Sequence, residues 1–398
     1  MTLPSSLRPV IAGGATALAE PAAAPAPMGT TRLRAVHRAA ADLRQGLPVL
    51  LDGPAPFDDR APLVLLAAET ATDAALEEFA RLCGAAPVIV LAPARAAALL
   101  AAPIDAAGSA VALRLTPALL APEPLRRLAD PTLDQGLPEP PEAAEAPPAA
   151  AAAAALALVK LARLLPAVLA APLAGTLAGS EALAGLLRVS AEDVLAYRGA
   201  AAASLRRITE ARVPLGGAED ARVVVFRTAD DAADHLAIVI GAPEAEDAPL
   251  VRLHSECFTG DLLDSLRCDC GPQLRGAIRR MAEAGAGVLL YLAQEGRGIG
   301  LASKLRAYAL QDRGLDTLDA NRALGWEADE RSFRIAATML ETLGIRRVRL
   351  MTNNPEKLRA LAACGIDIAG REPHVFAPNG VNDLYLATKA RRFGHLLG

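Results

Sequence analysis

The chain has 398 residues, 53% hydrophobic and 22% charged, which is enough to bury two cores of ordinary domain size. A net charge of −4, a pI near 5.9 and only 3% aromatic residues exclude the basic and stacking surfaces on which nucleic-acid binding rests. The run AAAAALALVKLARLLPAVLAAPLAG carries Lys160, Arg163, Pro166 and Pro172, which excludes a lipid-spanning helix and any membrane partner.

In chain order, residues 1–30 lack a cationic start followed by a compact apolar run and read as a flexible leader. From 31 to 100 helical and strand-like patterns alternate: RLRAVHRAAADLRQG, LPVLLDG, PLVLLAAE, DAALEEFARLCG and APVIVLA. Residues 136–156, GLPEPPEAAEAPPAAAAAAAL, predict by composition a solvated, poorly ordered insertion. The segment SAEDVLAYRGAAAASLRRITEARVPL predicts a helix opened by Ser190, Glu192 and Asp193, with Pro214 as its stop. The domain boundary is placed near 205, giving domains over 31–205 and 206–398.

In the second domain DARVVVFR, HLAIVIGA and PLVRLHSE read as strands, and CGPQLRGAIRRMAEAGAG as an amphipathic helix that stops at glycine. The strand GVLLYLA, the turn QEGRGIG and the helix LASKLRAYALQDRG follow. SFRIAATMLETLG then puts Ile335, Met339, Leu340 and Leu343 on one helical face, before the strand VRLMTNN. The fold class is α/β (α+β), with a mixed sheet and packed helices in each domain.

Three of the five cysteines, Cys257, Cys268 and Cys270, are spaced C-x10-C-x-C. Without a disulfide framework this sparse set suits a reducing cytoplasm, and the three close thiols read as soft metal ligands, zinc above all, with inert core cysteines as the plain alternative. His254 is a candidate fourth ligand. Without it the fourth position lies open to a water, whose pKa a catalytic zinc lowers to about 7. The turn QEGRGIG fits either an anion at a helix N-terminus or a tight turn with a solvated arginine. Lysine is scarce, and Lys357 in TNNPEK, at a helix start with Pro355 in its first turn, reads as a phosphate contact or as a solvated side chain.

The blocks RLHSECFTGDLLDSLRCDCGPQL, YLAQEGRGIGLASKLRAYALQD, DTLDANRALGWEADERSF, VRLMTNNPEKL and LYLATKARRFGHLL resemble, in order, GTP cyclohydrolase II, the first enzyme of riboflavin synthesis. The resemblance implies that GTP loses C8 as formate and its outer phosphates as pyrophosphate, leaving a diaminopyrimidinone ribosyl phosphate. It implies one zinc per chain on Cys257, Cys268 and Cys270, magnesium on the triphosphate, and a cytoplasmic homodimer. GTP would be held by Arg252, Leu253, His254, Ser255, Glu256, Gln273, Glu295, Gly296, Arg297, Thr317, Thr352 and Lys357. Asp329 matches the family's proton acceptor, Arg331 its nucleophile and Tyr308 a tyrosine that orients water or substrate. A guanidinium with a pKa above about 12 is a poor nucleophile, so Arg331 reads equally as a stabiliser of charge at the α-phosphate.

The first half resembles 3,4-dihydroxy-2-butanone 4-phosphate synthase through RAVHRAAADLRQGLPVLLDG, PLVLLAAETAT and SAEDVLAYR. It departs from that family where an acidic loop is reduced to FDDRAP, with Asp58 and Asp59, and in having no histidine between His37 and His235. The expectation is a degenerate relative with a structural or dimer-forming role. A bifunctional enzyme and a zinc-stabilised nucleotide-binding module are the alternatives.

Overall fold

The computed structural model describes residues 28–53, 61–104, 110–133, 136–177, 179–229 and 233–396; the leader through residue 27 and the pair Asp58 and Asp59 lie outside the described residues. The chain forms two compact units. Met28–Tyr197 and Ala302–Ala328 belong to the first, and Arg198–Leu301 and Asp329–Gly398 to the second.

The first unit contains α1 (Thr30–Arg44), β1 (Val49–Asp52), β2 (Leu63–Ala67), α2 (Asp73–Leu82), β3 (Val88–Leu91), α3 (Pro93–Leu100), β4 (Val111–Arg114), α4 (Pro122–Ala129), β5 (Ala143–Ala144), α5 (Ala149–Leu161), β6 (Ala167–Pro172) and β7 (Arg188–Ser190). Its seven strands lie in the order β5-β4-β3-β6-β2-β1-β7. All neighbours are antiparallel except β1 and β7. α1 buries Leu33, Val36, Ala39, Ala40 and Leu43, an i, i+3, i+4 stripe, and α5 packs against it.

The reading of 136–156 as poorly ordered is corrected by α5, where Ala151, Ala152, Ala154, Ala155, Leu156, Leu158 and Val159 are buried. Alanine has no side-chain entropy to lose and the highest helix propensity, so the run after Pro148 is a tightly packed core helix. The membrane-like stretch is this helix continued into the central strand β6, and no helix among the described residues is long and apolar enough to cross a membrane.

α6 (Ala191–Ala203) opens the passage to the second unit, and the Ser190 hydroxyl accepts the Asp193 N–H at 3.1 Å, as a helix start requires. The expected helix stops well before Pro214, because Arg206–Arg212 is a strand, β8. RRITEAR is exposed at every position, so its hydrophobic pattern could not choose between helix and strand. As a charged edge strand it guards the sheet against further pairing.

β9 (Arg222–Arg227), β10 (His235–Ile240), β11 (Leu250–Ser255), α7 (Cys270–Glu283), β12 (Gly287–Leu292), α8 (Gly300–Asp312), α9 (Thr317–Ala323), α10 (Arg334–Thr342), β13 (Arg347–Met351), α11 (Pro355–Ala363), β14 (Asp367–Glu372) and α12 (Asp383–Phe393) complete the chain. The second sheet runs β14-β13-β11-β12-β10-β9-β8. Its strands β12, β11, β13 and β14 are parallel neighbours and the remaining pairs are antiparallel.

Alternate residues of β11 face opposite layers. Val251 and Leu253 join a core with Met339 and Leu340 of α10 and Leu361 of α11, while Leu250 packs with Ala277, Ile278 and Met281 of α7. Ile335 and Leu343, expected on the apolar face of α10, are partly buried against the first of these cores. The strand period therefore sends Arg252 and His254 to the α7 side.

Candidate active site

Parallel strands deliver their carboxyl ends to one edge, where open α/β sheets bind ligands. β11 ends with Arg252, Leu253, His254 and Ser255, and Glu256 follows with its N–H on the Leu292 carbonyl at 2.8 Å. Arg252 is 6% exposed; its Nη1 donates to the Met351 carbonyl at 3.1 Å and its Nη2 to Gln273 Oε1. Burial pulls the guanidinium down to about 10, against the pull of Cys270 and Asp269. Lys357, also buried, donates from Nζ to the Leu253 carbonyl at 2.9 Å.

His254 stacks on Tyr291, its partner across the β11–β12 pair, with ring centroids 5.6 Å apart. Its Nε2 lies 3.1 Å from Asp261 Oδ1, and burial holds the imidazole below its usual pKa despite that carboxylate. Two buried atoms on this face, Arg252 Nε and His254 Nδ1, have no hydrogen-bond partner. Unpaired buried polar atoms are costly, and a polar ligand at this edge would satisfy these two.

Cys257 follows β11, and Phe258–Leu262 makes one wide turn before Cys268 and Cys270, the latter opening α7. The three Sγ atoms lie within 4.8 Å of one another, and Cys257 Sγ and Cys268 Sγ are 3.8 Å apart. A tetrahedral ion with sulfur ligands at about 2.3 Å sets those sulfurs about 3.8 Å from each other. Gly260 is required in this turn: a Cβ there would stand 2.5 Å from Cys268 Sγ and 3.0 Å from Cys257 Sγ. Hydrogen bonding to Cys257, reinforced by burial, pushes the Cys268 thiol up to about 11, and Cys270 is raised as well. Three thiols held this close oppose each other's ionisation, and a divalent cation is the group that removes the conflict. His254 is committed to Asp261 and Tyr291 and is not grouped with the thiols.

After β12 the turn at Glu295–Gly298 uses left-handed backbone at Gly296 (φ 64°), Arg297 (φ 63°) and Gly298 (φ 92°). Glu295 is buried and bridges two elements: Oε2 accepts the Phe258 N–H at 2.6 Å and Oε1 the Gly296 N–H at 2.8 Å. At Gly298 any Cβ would meet the Glu330 carbonyl at 2.9 Å, so the turn is fitted to the segment that carries Asp329 and Arg331.

Arg331 grips Asp329 through Nε at 2.8 Å and through a second contact from Nη2. Burial works against the Asp329 carboxylate, but the charge and hydrogen bonds of Arg331 win and hold its pKa below the ordinary value. Arg331 is also close enough to Arg252 to depress it further. After β13, the buried Thr352 accepts the Asn354 N–H at 3.1 Å, and Asn354 in turn caps α11 ahead of Pro355.

The structure thus gathers the residues expected at β11, the thiol turn, Gln273, the glycine turn, Asp329, Arg331, Thr352 and Lys357 within the second unit. Tyr308 and Thr317 belong to the other unit by chain division. They lie on α8 and at the start of α9, in the segment Ala302–Ala328 that belongs to the first unit.

Several residues at this edge escaped the sequence reading. Asp261 takes the His254 Nε2, the Tyr291 hydroxyl at 3.0 Å and the Cys257 N–H at 3.0 Å, so one carboxylate ties β11, β12 and the thiol turn together. Its place four residues after Cys257 was the available signal. Asp269 accepts from Gln273 Nε2 at 2.5 Å. His374, with Nε2 2.8 Å from the Gln273 carbonyl, is driven down to about 4 by burial and by Arg252. Gln294, 9% exposed, donates to the Ser332 carbonyl at 2.8 Å and leaves its own Oε1 without a partner.

A family model described as GTP cyclohydrolase II matches residues 206–373. Over 375 residues the chain is 48% identical to the GTP cyclohydrolase-2 of Azospirillum brasilense, an alignment that covers 93% of this chain and 96% of the relative. The GTP cyclohydrolase-2 of Cronobacter sakazakii is 51% identical over 193 residues, which are 48% of this chain and 98% of that protein. Among solved structures, RibBX, a two-domain 3,4-dihydroxy-2-butanone 4-phosphate synthase from A. baumannii, aligns over 86% of this chain and 99% of its own at 18% identity, with a TM-score of 0.33.

Proposed function

The chain belongs to the GTP cyclohydrolase II family, and from that premise we infer that it hydrolyses GTP to formate, pyrophosphate and a diaminopyrimidinone ribosyl phosphate. The observation that carries this reading is the thiol triad set at the carboxyl edge of parallel strands, beside two unpaired buried polar atoms, Arg252 Nε and His254 Nδ1. One zinc ion on Cys257, Cys268 and Cys270 would supply activated water for attack at C8 of guanine.

The remaining work falls to the protein. Arg252 and Lys357 bring buried positive charge to the strand ends, where desolvation strengthens their attraction for a triphosphate presented with magnesium. Asp329 keeps Arg331 aligned by a two-point ion pair and is ionised at neutral pH, the form a proton acceptor needs, although its lowered pKa makes it a weak base. Held in that grip, Arg331 stays a protonated fork that stabilises charge at the α-phosphate as pyrophosphate leaves, rather than a nucleophile. Tyr308 orients the attack on the ring, and Thr317, Thr352, Gln273 and the Glu295–Arg297 turn complete the GTP contacts. We place the enzyme in the cytoplasm as a homodimer. Its first unit is a degenerate synthase relative that turns over no ribulose 5-phosphate, since no histidine stands between His37 and His235.

Separate measurement of formate and pyrophosphate from GTP tests the assignment. The Cys268→Ser, Cys270→Ser double variant is expected to lose zinc and formate release together. Formate release at the wild-type rate from zinc-free double variant would refute it.

A further inference from the structure

Between β14 and α12 the chain runs through residues 373–382, at the end of the stretch that the family model matches and beyond it, and crosses the first half of α7. Three contacts hold this strap in place, all of them within the second unit. The buried His374 ring donates from Nε2 to the Gln273 carbonyl at 2.8 Å. Phe376 packs edge-on against His374 with ring centroids 4.9 Å apart, and a Cβ on Gly276 would stand 2.5 Å from its Cζ. Glycine weakens a helix interior, so α7 gives up propensity at the point where the strap crosses it. Asn379 donates from Nδ2 to the Leu266 carbonyl at 3.0 Å.

The strap is itself fixed from behind. Buried Asn353 accepts the His374 N–H on Oδ1 at 2.9 Å and donates from Nδ2 to the His374 carbonyl at 2.6 Å. Asn379 closes a turn of its own: its Oδ1 accepts the Val381 and Asn382 N–H groups, both at 2.9 Å, and its N–H donates to Asn382 Oδ1 at 3.0 Å. With the amide oxygen engaged in this way, the nitrogen is turned toward Leu266.

The two anchor points, Leu266 and Gln273, stand on either side of Cys268 and Cys270, two of the three grouped thiols. Gln273 in turn spans Arg252 and Asp269, with Oε1 on the first and Nε2 2.5 Å from Asp269 Oδ2. Groups that orient metal ligands without touching the ion change its affinity by about 10- to 100-fold when they are lost.

We propose that His374 and Asn379 are positioning residues that brace the segment carrying Cys268 and Cys270, so that a strap outside the ligand set governs how firmly the metal is held. The proposal rests on the reading of the three thiols as a metal site. A strap that served stability alone would lower the melting temperature with and without metal and leave metal release from folded protein unchanged, whereas loss of a brace on the ligands speeds release.

The test compares full-length wild type, His374→Leu, His374→Gln and Asn379→Asp, loaded with zinc and checked for folding by circular dichroism. Zinc release to a chromogenic chelator is timed well below melting, and the thiolate-to-metal absorption of the cobalt(II) form is recorded. His374→Leu is expected to release zinc about tenfold faster and to alter the cobalt band. His374→Gln, whose amide nitrogen takes the place of Nε2, is expected to stay within about twofold of wild type. Asn379→Asp keeps the acceptor of its turn and loses only the donor to Leu266. It is expected to release zinc about threefold faster, even though its added negative charge by itself favours a cation. If His374→Leu does not fold, Asn379→Asp, at an exposed position, carries the test. Wild-type release from folded His374→Leu or from Asn379→Asp, or a His374→Gln as fast as His374→Leu, would overturn the proposal. A wild type that takes up neither zinc nor cobalt contradicts the metal reading itself and removes the proposal with it.

Discussion

Both units carry a seven-stranded mixed sheet, yet they treat polar groups in opposite ways. In the first, antiparallel neighbours send consecutive strand ends to opposite edges, and the buried charges that remain, Arg95, Asp130 and Asp193, are spent on structural contacts. In the second, four adjacent parallel strands bring Arg252, His254, Glu295, Thr352 and Lys357 to one edge, beside the three thiols. Similar sheets thus serve different ends according to strand direction. Parallel order collects loop chemistry at one edge, and antiparallel order makes a scaffold.

Arg331→Ala bears hardest on this contrast. If phosphate chemistry belongs to the second unit, the variant loses pyrophosphate release by roughly 10²- to 10³-fold, and Arg331→Lys recovers little because the planar fork on Asp329 is gone. Coupled phosphate-release kinetics at saturating GTP read both. Unchanged pyrophosphate release would confine Arg331 to its structural ion pair with Asp329.

Asp261→Asn sharpens the comparison at the thiol turn. The amide cannot accept from His254, Tyr291 and the Cys257 N–H together, so zinc retention against a chelator is expected to weaken about tenfold while the first unit's melting is unmoved. Equal retention would confine Asp261 to backbone capping.

The smallest effect concerns acid. His254 and His374 titrate below their unfolded value in the folded second unit, His374 near 4. Between about pH 6.5 and 4 the unfolded chain therefore binds protons that the folded one excludes, so stability is full above that window and falls as pH drops through it. Calorimetry over this range is expected to show a shallower decline for His374→Gln.

The thiol triad was legible because chemistry fixes its spacing, and the helix Cys270–Glu283 and strands such as Gly287–Leu292 because burial fixes their period. Reading by composition failed where alanine was taken for solvated chain in 149–156, a segment that packs as core. Reading by pattern failed at Arg206–Arg212, which has no apolar face to count. Asp261 offers no signal beyond its place four residues after Cys257, since Tyr291 reaches it only once β11 and β12 are paired. The ion pair between Arg306 on α8 and Glu69 was equally hidden, because the two lie 237 positions apart along the chain.

The central claim, that the chain turns over GTP while its synthase-like first half acts as scaffold, is tested most directly by offering the purified zinc-loaded chain GTP and ribulose 5-phosphate in separate reactions with magnesium and measuring formate from each. The account predicts formate with stoichiometric pyrophosphate from GTP and none from the sugar. Metal-dependent formate and butanone phosphate from ribulose 5-phosphate, or no formate from GTP, would contradict it.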